Sequence, residues 1–164
     1  MLERSSFQFE RHDALISGAI RRQLTIIAGG RHIMFSHIFI SVTDFERALR
    51  FHRAVMAALG LELRWCDPSR PWAGWHGTGR SRPYFVICHT YDGLPHDPGN
   101  GQMVAFNAAD AQTVRAAHAA ALASGGTCEG APGPRPEYHE HYYGAYFRDP
   151  DGNKFCVACH SQQQ

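Results

Sequence analysis

Apolar and polar residues alternate in the segment that follows residue 35, and this period predicts a strand. One face carries Ile38, Ile40 and Val42, and the other carries His37, Phe39 and Ser41. The next segment changes to helical spacing, with Thr43 and Glu46 at capping-box distance and Gly60 as its end. Its apolar stripe consists of Phe45, Ala48, Leu49, His52, Met56 and Leu59.

The same order of elements then occurs a second time. Residues 61–65 and 84–90 read as strands separated by a loop rich in Pro, Trp and Gly, and residues 103–106 begin the second round. A helix from about Asp110 ends at Gly125-Gly126, and its inward positions are Val114, Ala117, His118, Ala121 and Leu122. We therefore predict an α+β fold of duplicated β-α-β-β-β modules, forming an open cup-shaped mixed sheet with the helices on its outer face.

We place the domain at residues 34–162, with one module at about 34–97 and the other at about 98–162. Residues 1–33 lack a continuous apolar run, so we interpret them as a flexible extension or an over-long gene start. The alternative for this segment is an arm that contacts a second subunit.

Composition excludes several functional classes. A net charge of +1 with 19% charged residues predicts no broad affinity for nucleic acid or anionic membranes. No apolar run reaches membrane-spanning length. The five cysteines have no disulfide-scaffold spacing and favour reduced thiols in a cytoplasm.

The segment from Cys156 to His160 has the C-x-x-C-H spacing of covalent haem attachment. However, the turn residues 149–153 lie between two apolar runs and predict a hairpin, whose second strand contains both cysteines. Side chains three positions apart on a strand point to opposite faces, so Cys156 and Cys159 cannot readily hold one haem. The sequence therefore disfavours a c-type haem protein.

The chain resembles the vicinal oxygen chelate superfamily, which includes glyoxalase I, bleomycin-resistance proteins and extradiol dioxygenases. The likeness covers about residues 35–160. It is carried by His37, the segments 42–44 and 48–52, the segment 104–106 and the Asp-Pro-Asp-Gly-Asn turn at 149–153. The resemblance implies paired β-α-β-β-β modules, a small-molecule ligand and a homodimer.

In the enzymes of this superfamily, four side chains hold a divalent metal. The resemblance places these positions at His37, Cys88, Met103 and Cys156, where histidine or glutamate is expected and only His37 is retained. Imidazole, thiolate and thioether favour Cu(I) or Zn²⁺ over oxygen-preferring metals. We weigh a zinc, copper or nickel site at His37, Cys88 and Cys156 against an apolar cup floor, and predict that the usual metal site is lost and that no cofactor is bound. A shifted register would replace Cys88 with His89.

Two groups of residues are candidates for ligand contact or proton transfer. If residues 137–143 are extended, His139, His141 and Tyr143 share a face and are candidate catalytic residues, although a solvated loop or a segment across the cup mouth is the alternative. We expect the cup to be lined by His37, Phe39, Met103, Ala105 and Cys156. Trp75 is a further candidate ligand contact, because Trp65, Trp72 and Trp75 cluster with Arg64 and Arg70.

The sequence leaves two functions open. The first is a glyoxalase-like protein of lyase or isomerase lineage, of unknown substrate and without the usual metal site. The second is a metal-free protein that binds or sequesters a small molecule, as bleomycin-resistance proteins do. Whether the chain is an enzyme is not decided by its residues.

Overall fold

The computed structural model describes residues 34–161, which form two β-α-β-β-β modules. The first comprises β1 (His37–Ser41), α1 (Phe45–Ala58), β2 (Leu61–Asp67), β3 (Trp72–Gly77) and β4 (Tyr84–Cys88). The second comprises β5 (Val104–Asn107), α2 (Ala111–Ala123), β6 (Thr127–Pro134), β7 (Tyr143–Arg148) and β8 (Lys154–Cys159). The predicted fold class is confirmed, and the predicted extension at residues 1–33 lies outside the described residues.

Each module forms a four-stranded mixed sheet, ordered β1-β4-β3-β2 in the first and β5-β8-β7-β6 in the second. The first and last strands of each module pair in parallel, and the remaining neighbours are antiparallel. β3 lies within the segment that the sequence predicted as a loop. The predicted hairpin at Asp149–Asn153 is confirmed, because it joins β7 to β8.

Both helices begin at an aspartate and bury their predicted stripes. The side chain of Asp44 accepts a hydrogen bond from the Arg47 N–H, so Asp44 and not Thr43 is the N-cap of α1. Asp110 caps α2 in the same way through the N–H of Thr113. The predicted inward positions of α2 are buried except Leu122, which is 40% exposed.

The two sheets meet through their helix-facing sides, where aromatic rings build one continuous core. The ring centroid of Phe85 on β4 lies 5.1 Å from that of Phe106 and 5.9 Å from that of Phe155, both in the second sheet. The helices also pack against each other. The opposite face of each sheet is not covered by these helices. No helix among residues 34–161 is long and apolar enough to cross a membrane.

Candidate functional site

The strand register defines the face of the first sheet that points away from the helices. His37, Phe39 and Ser41 on β1 stand opposite Tyr84, Val86 and Cys88 on β4. Trp72 on β3 pairs with Cys88, and Gly74 pairs with Val86 and with Trp65 of β2. The predicted strand face of His37, Phe39 and Ser41 is therefore confirmed.

A cavity of ≈ 700 Å³ opens on this face. Phe39, Trp72 and Tyr91 supply ring surface, and Ser41, Arg70, His89 and Thr90 supply polar groups. A second cavity of ≈ 520 Å³ adjoins the first, and His89 and Thr90 line both. The combination of ring surface with a few polar groups is typical of small-molecule sites.

Trp65 and Trp72 form the aromatic wall of this face. Their ring centroids are 5.5 Å apart, and the guanidinium of Arg70 lies 4.9 Å from the Trp72 ring centroid. Gly74 provides the room for Trp65, because a Cβ at this position would overlap the indole ring. The sequence predicted this cluster of Trp and Arg, and the structure assigns two of its tryptophans to the exposed side of the sheet.

His96 fixes the loop between the modules to the end of β1. Its Nδ1 lies 2.7 Å from the Oγ of Ser41, and its Nε2 lies 3.1 Å from the carbonyl oxygen of Asp151. Ser41 belongs to the lining of the larger cavity, and His96 to that of the smaller one. Nothing in the local sequence around His96 indicates this contact, because it joins residues far apart in the chain.

The corresponding face of the second sheet is rich in tyrosine. Tyr146 on β7 pairs with Cys156 on β8, and Cys156 pairs with Ala105 on β5. The Oη of Tyr142 lies 3.4 Å from the Cys156 Sγ and 3.5 Å from the Tyr146 Oη. Burial raises the pKa of the Cys156 thiol and of both tyrosines, so all three groups keep their protons at neutral pH.

The segment between β6 and β7 is a series of turns and not an extended strand. His139 lies at the end of β8, with its Nε2 2.9 Å from the Nδ1 of His160. The Nε2 of His141 lies 2.8 Å from the Oε1 of Glu140. Tyr143 points to the other side of the sheet, towards the helices and the core. It is 8% exposed on the helix-facing side, and its hydroxyl accepts a hydrogen bond from Arg115.

These positions correct two of the predicted site residues. Tyr143 does not share a face with His139 and His141, because the extended conformation assumed for residues 137–143 is absent. Trp75 is 2% exposed and packs against His52 and Phe85 in the core, and it does not lie on the open face of the sheet. The residues that sequence reasoning missed on the open faces are Tyr84, Tyr91, His96, Arg135, Tyr142 and Tyr146.

The predicted cup residues are divided between the two sheets. His37 and Phe39 lie on the first, while Ala105 and Cys156 lie on the second, with Met103 just before β5. No strand of one sheet pairs with a strand of the other in the part of the chain that the structure describes. A single cup that contains all five side chains is therefore not built by strand pairing within one chain.

The strand register also changes one of the four positions at which the resemblance to the superfamily predicts metal ligands. Phe39 and Ala105 occupy equivalent places relative to the N-cap residues of their modules, and they pair with Val86 and Cys156 respectively. The counterpart of Cys156 in the first module is therefore Val86 and not Cys88. His89, the alternative for Cys88, lies beyond the end of β4.

The residues at these positions do not fit a divalent metal. Val86 and Met103 offer no ligand for a hard or borderline cation, and the buried Cys156 thiol keeps its proton. Within residues 34–161 no three or more His, Cys, Asp or Glu side chains are grouped to hold a metal ion. The donor set thus differs in kind from the carboxylates and imidazoles that hard and borderline cations prefer.

Comparison with protein families gives one match across most of the described chain. Residues 34–157 match the model of the glyoxalase/bleomycin resistance protein/dioxygenase superfamily. Among the curated proteins, none matches this chain.

Solved structures of similar proteins agree with this match. A glyoxalase/bleomycin resistance protein from Albidiferax ferrireducens is 35% identical, covers 77% of this chain and 99% of its own, and has a TM-score of 0.69. A glyoxalase/bleomycin resistance protein/dioxygenase family enzyme from Burkholderia phytofirmans is 20% identical, with coverages of 77% and 98% and a TM-score of 0.57. A glyoxalase/dioxygenase from Nostoc punctiforme is 19% identical, with coverages of 82% and 95% and a TM-score of 0.58. The last two show the fold alone.

Proposed function

This chain belongs to the glyoxalase/bleomycin resistance protein/dioxygenase superfamily, and we propose that it binds a planar aromatic small molecule without a metal ion. The observation that carries this proposal is the cavity of ≈ 700 Å³ on the open face of the first sheet. Its volume falls within the roughly 300–1,000 Å³ of ordinary small-molecule sites. Phe39 and Trp72 line it with ring surface that can stack on a planar ligand.

The polar residues of the cavity are few, as expected of a site that selects by shape and orientation. Arg70 lies over the Trp72 ring and can add a cation–π contact to a ligand that stacks there. Ser41, His89 and Thr90 can donate or accept hydrogen bonds at the ligand's edge.

Metal independence is part of the proposal because of the donor set. Hard and borderline cations prefer carboxylate and imidazole ligands. The positions that correspond to metal ligands offer instead one imidazole at His37, a protonated thiol at Cys156, and the side chains of Val86 and Met103.

Titration with the neutral fluorescent probe N-phenyl-1-naphthylamine tests the cavity. We expect saturable binding at one probe per chain, and binding about tenfold weaker in Trp72→Ala because one aromatic contact is lost. Phe35→Ala is the matched control, since Phe35 is an exposed ring, 54% accessible, outside the cavity. Equal weakening by both variants, or no saturable binding, would contradict the proposal.

A metal-independent lyase or isomerase reaction is the second candidate, favoured by the contact between His96 and Ser41. An imidazole that is hydrogen-bonded to a hydroxyl in a cavity wall can accept or donate a proton. Conversion of the hemithioacetal of methylglyoxal and glutathione by metal-stripped protein would support this reaction. Turnover lost in His96→Ala would assign the proton transfer, whereas probe binding without any turnover would support sequestration.

We propose further that the protein is a cytoplasmic homodimer. β1 and β5 each have a partner strand on one side only, and Phe39 and Met103 are 50% and 45% exposed. Exposed strand edges and apolar side chains of this kind are often covered by a second copy. Light scattering is expected to give the mass of two chains for the wild type, and the mass of one chain for Met103→Asp.

The cytoplasmic location is proposed from the cysteines. All five cysteines are free, which suits a reducing compartment.

A further inference from the structure

Arg135 is held in one orientation on the open face of the second sheet. Its Nη1 donates to the carbonyl oxygen of Pro134 and its Nη2 to that of Ala131, both at 2.9 Å. The guanidinium carbon lies 5.8 Å from the ring centroid of Tyr146. Two backbone contacts and one ring contact restrict this side chain, so its remaining N–H groups are oriented before any ligand arrives.

The backbone of β6 is shaped around this guanidinium. The pairing of β6 with β7 shifts register on both sides of Gly130, between Cys128 and Gly130 and between Gly130 and Gly133. A Cβ at Gly133 would lie 3.0 Å from the Arg135 Nη1, and a Cβ at Gly130 would lie 3.0 Å from the Tyr146 ring. The irregular strand therefore makes the room that the folded-back arginine needs.

No carboxylate neutralises Arg135 within residues 34–161. Of the acidic groups near this sheet, Glu129 pairs with Arg148 and Lys154, and Glu140 pairs with His141. Glu137, close to Arg135 in the chain, is exposed and makes no ion pair with it. A guanidinium that is fixed in place and lacks a charged partner can donate two parallel hydrogen bonds to the oxygens of a carboxylate.

The groups beside Arg135 are aromatic rings and neutral hydroxyls. The ring centroid of Tyr142 lies 4.9 Å from that of Tyr138 and 5.2 Å from that of His160. The Tyr142 hydroxyl lies beside the Tyr146 hydroxyl. Because the tyrosines and Cys156 keep their protons, they add no negative charge that would repel an anion. Phenol hydroxyls can also donate hydrogen bonds to a carboxylate oxygen.

From this arrangement we infer that the open face of the second sheet is a binding site for a small aromatic carboxylate. Arg135 binds the carboxylate, the hydroxyls of Tyr142 and Tyr146 donate to it, and the ring of the ligand packs on the aromatic surface formed by Tyr138, Tyr142 and His160. This site lies on a different sheet from the cavity of the first module, and neither site depends on the other.

Calorimetric titration of the full chain with benzoate, and with its uncharged counterpart benzamide, tests the assignment. We expect saturable benzoate binding, with benzamide at least about tenfold weaker because the charge-assisted hydrogen bonds are lost. Arg135→Gln is expected to weaken benzoate binding by a similar factor and Tyr142→Phe by a smaller one. Arg82→Gln is the matched control, since Arg82 lies 5.0 Å from the Tyr84 ring centroid on the other sheet and should leave benzoate binding unchanged.

A second measurement keeps the test decisive if Arg135→Gln does not fold. In the wild type, benzoate should shift the NMR signals of the Arg135 side chain and of β7 residues, while N-phenyl-1-naphthylamine should shift those of β1 and β3. Equal affinity for benzoate and benzamide, benzoate binding that survives Arg135→Gln, or benzoate shifts confined to the first sheet would each overturn the inference.

Discussion

The Nε2 of His52 on α1 lies 3.4 Å from the Oδ2 of Asp149 in the turn between β7 and β8. Both side chains are buried, and this contact joins one module to the other. Asp149 is otherwise well hydrogen-bonded, because it accepts from the backbone N–H groups of Asp151 and Asn153 and from the Asn153 side chain. His52 has no hydrogen-bond partner in the described chain for either ring nitrogen, and it packs among the rings of Phe51, Trp75, Phe85 and Phe155.

The two residues are therefore expected to respond differently to substitution. Asp149→Ala removes three hydrogen bonds, two of them from backbone N–H groups, and should lower the free energy of unfolding by about 3 kcal/mol. His52→Leu replaces an unpaired polar ring by an apolar side chain and should change it by less than about 1 kcal/mol. Urea unfolding measures both values. Asp92→Ala is the control, since Asp92 makes an exposed contact to the N–H of Leu94, and a cost for Asp149→Ala no larger than for this control would refute the assignment.

Stability should fall in alkaline solution. Burial raises the pKa of Cys156 and of Tyr142 in the folded chain, so the folded state retains these protons to a higher pH than the unfolded state. The resulting stabilisation is complete below the unfolded pKa, about 8.5 for Cys and about 10 for Tyr, and declines as the pH rises above those values.

Urea unfolding at pH 7, 9 and 10.5 measures this decline. Tyr142→Phe and Cys156→Ala should flatten the pH profile, because each removes one of the titrating groups. Tyr91→Phe should leave the profile as in the wild type, since Tyr91 is fully exposed. A stability that rises between pH 9 and 10.5 would show that the sign of the effect is wrong.

Gly74→Ala should damage the aromatic wall of the first sheet. The new Cβ would overlap the indole ring of Trp65, so the ring must move or the strand must shift. We expect a loss of about 1–3 kcal/mol in unfolding free energy and a changed tryptophan fluorescence spectrum. Gly77→Ala on the same strand is the control, since a Cβ at this position would lie 3.8 Å from the Cδ of Arg80, which is ordinary contact distance. Similar effects of both substitutions would argue against the packing of Trp65 over Gly74.

The fold was predictable because its signals are local. Alternation in the first strand, the apolar stripe of α1 and the turn at Asp149–Asn153 each follow from neighbouring residues, and the structure confirms all three. The N-cap was placed one residue too early at Thr43, whose hydroxyl and N–H instead contact Asp151 of the other module. That contact depends on the packing of the modules, which a capping pattern does not contain.

The candidate site was less predictable because it depends on register and on irregular backbone. Alternation gives the face of a strand but not its partner, so the sequence predicted Cys88, or His89 in a shifted register, where the strand pairing places Val86. The turns after β6 reverse the expected orientation of Tyr143 and bring Tyr142 to Cys156. A cluster of Trp and Arg in the sequence does not distinguish a buried tryptophan such as Trp75 from partly exposed ones such as Trp65 and Trp72.

Binding of N-phenyl-1-naphthylamine to metal-stripped protein is the measurement that tests the proposed function most directly. We expect the same affinity and one-to-one stoichiometry before and after treatment with EDTA, and no increase on addition of Ni²⁺, Zn²⁺, Mn²⁺ or Fe²⁺. Binding that disappears on stripping and returns with one equivalent of any of these ions would contradict metal-independent recognition in the cavity of the first sheet.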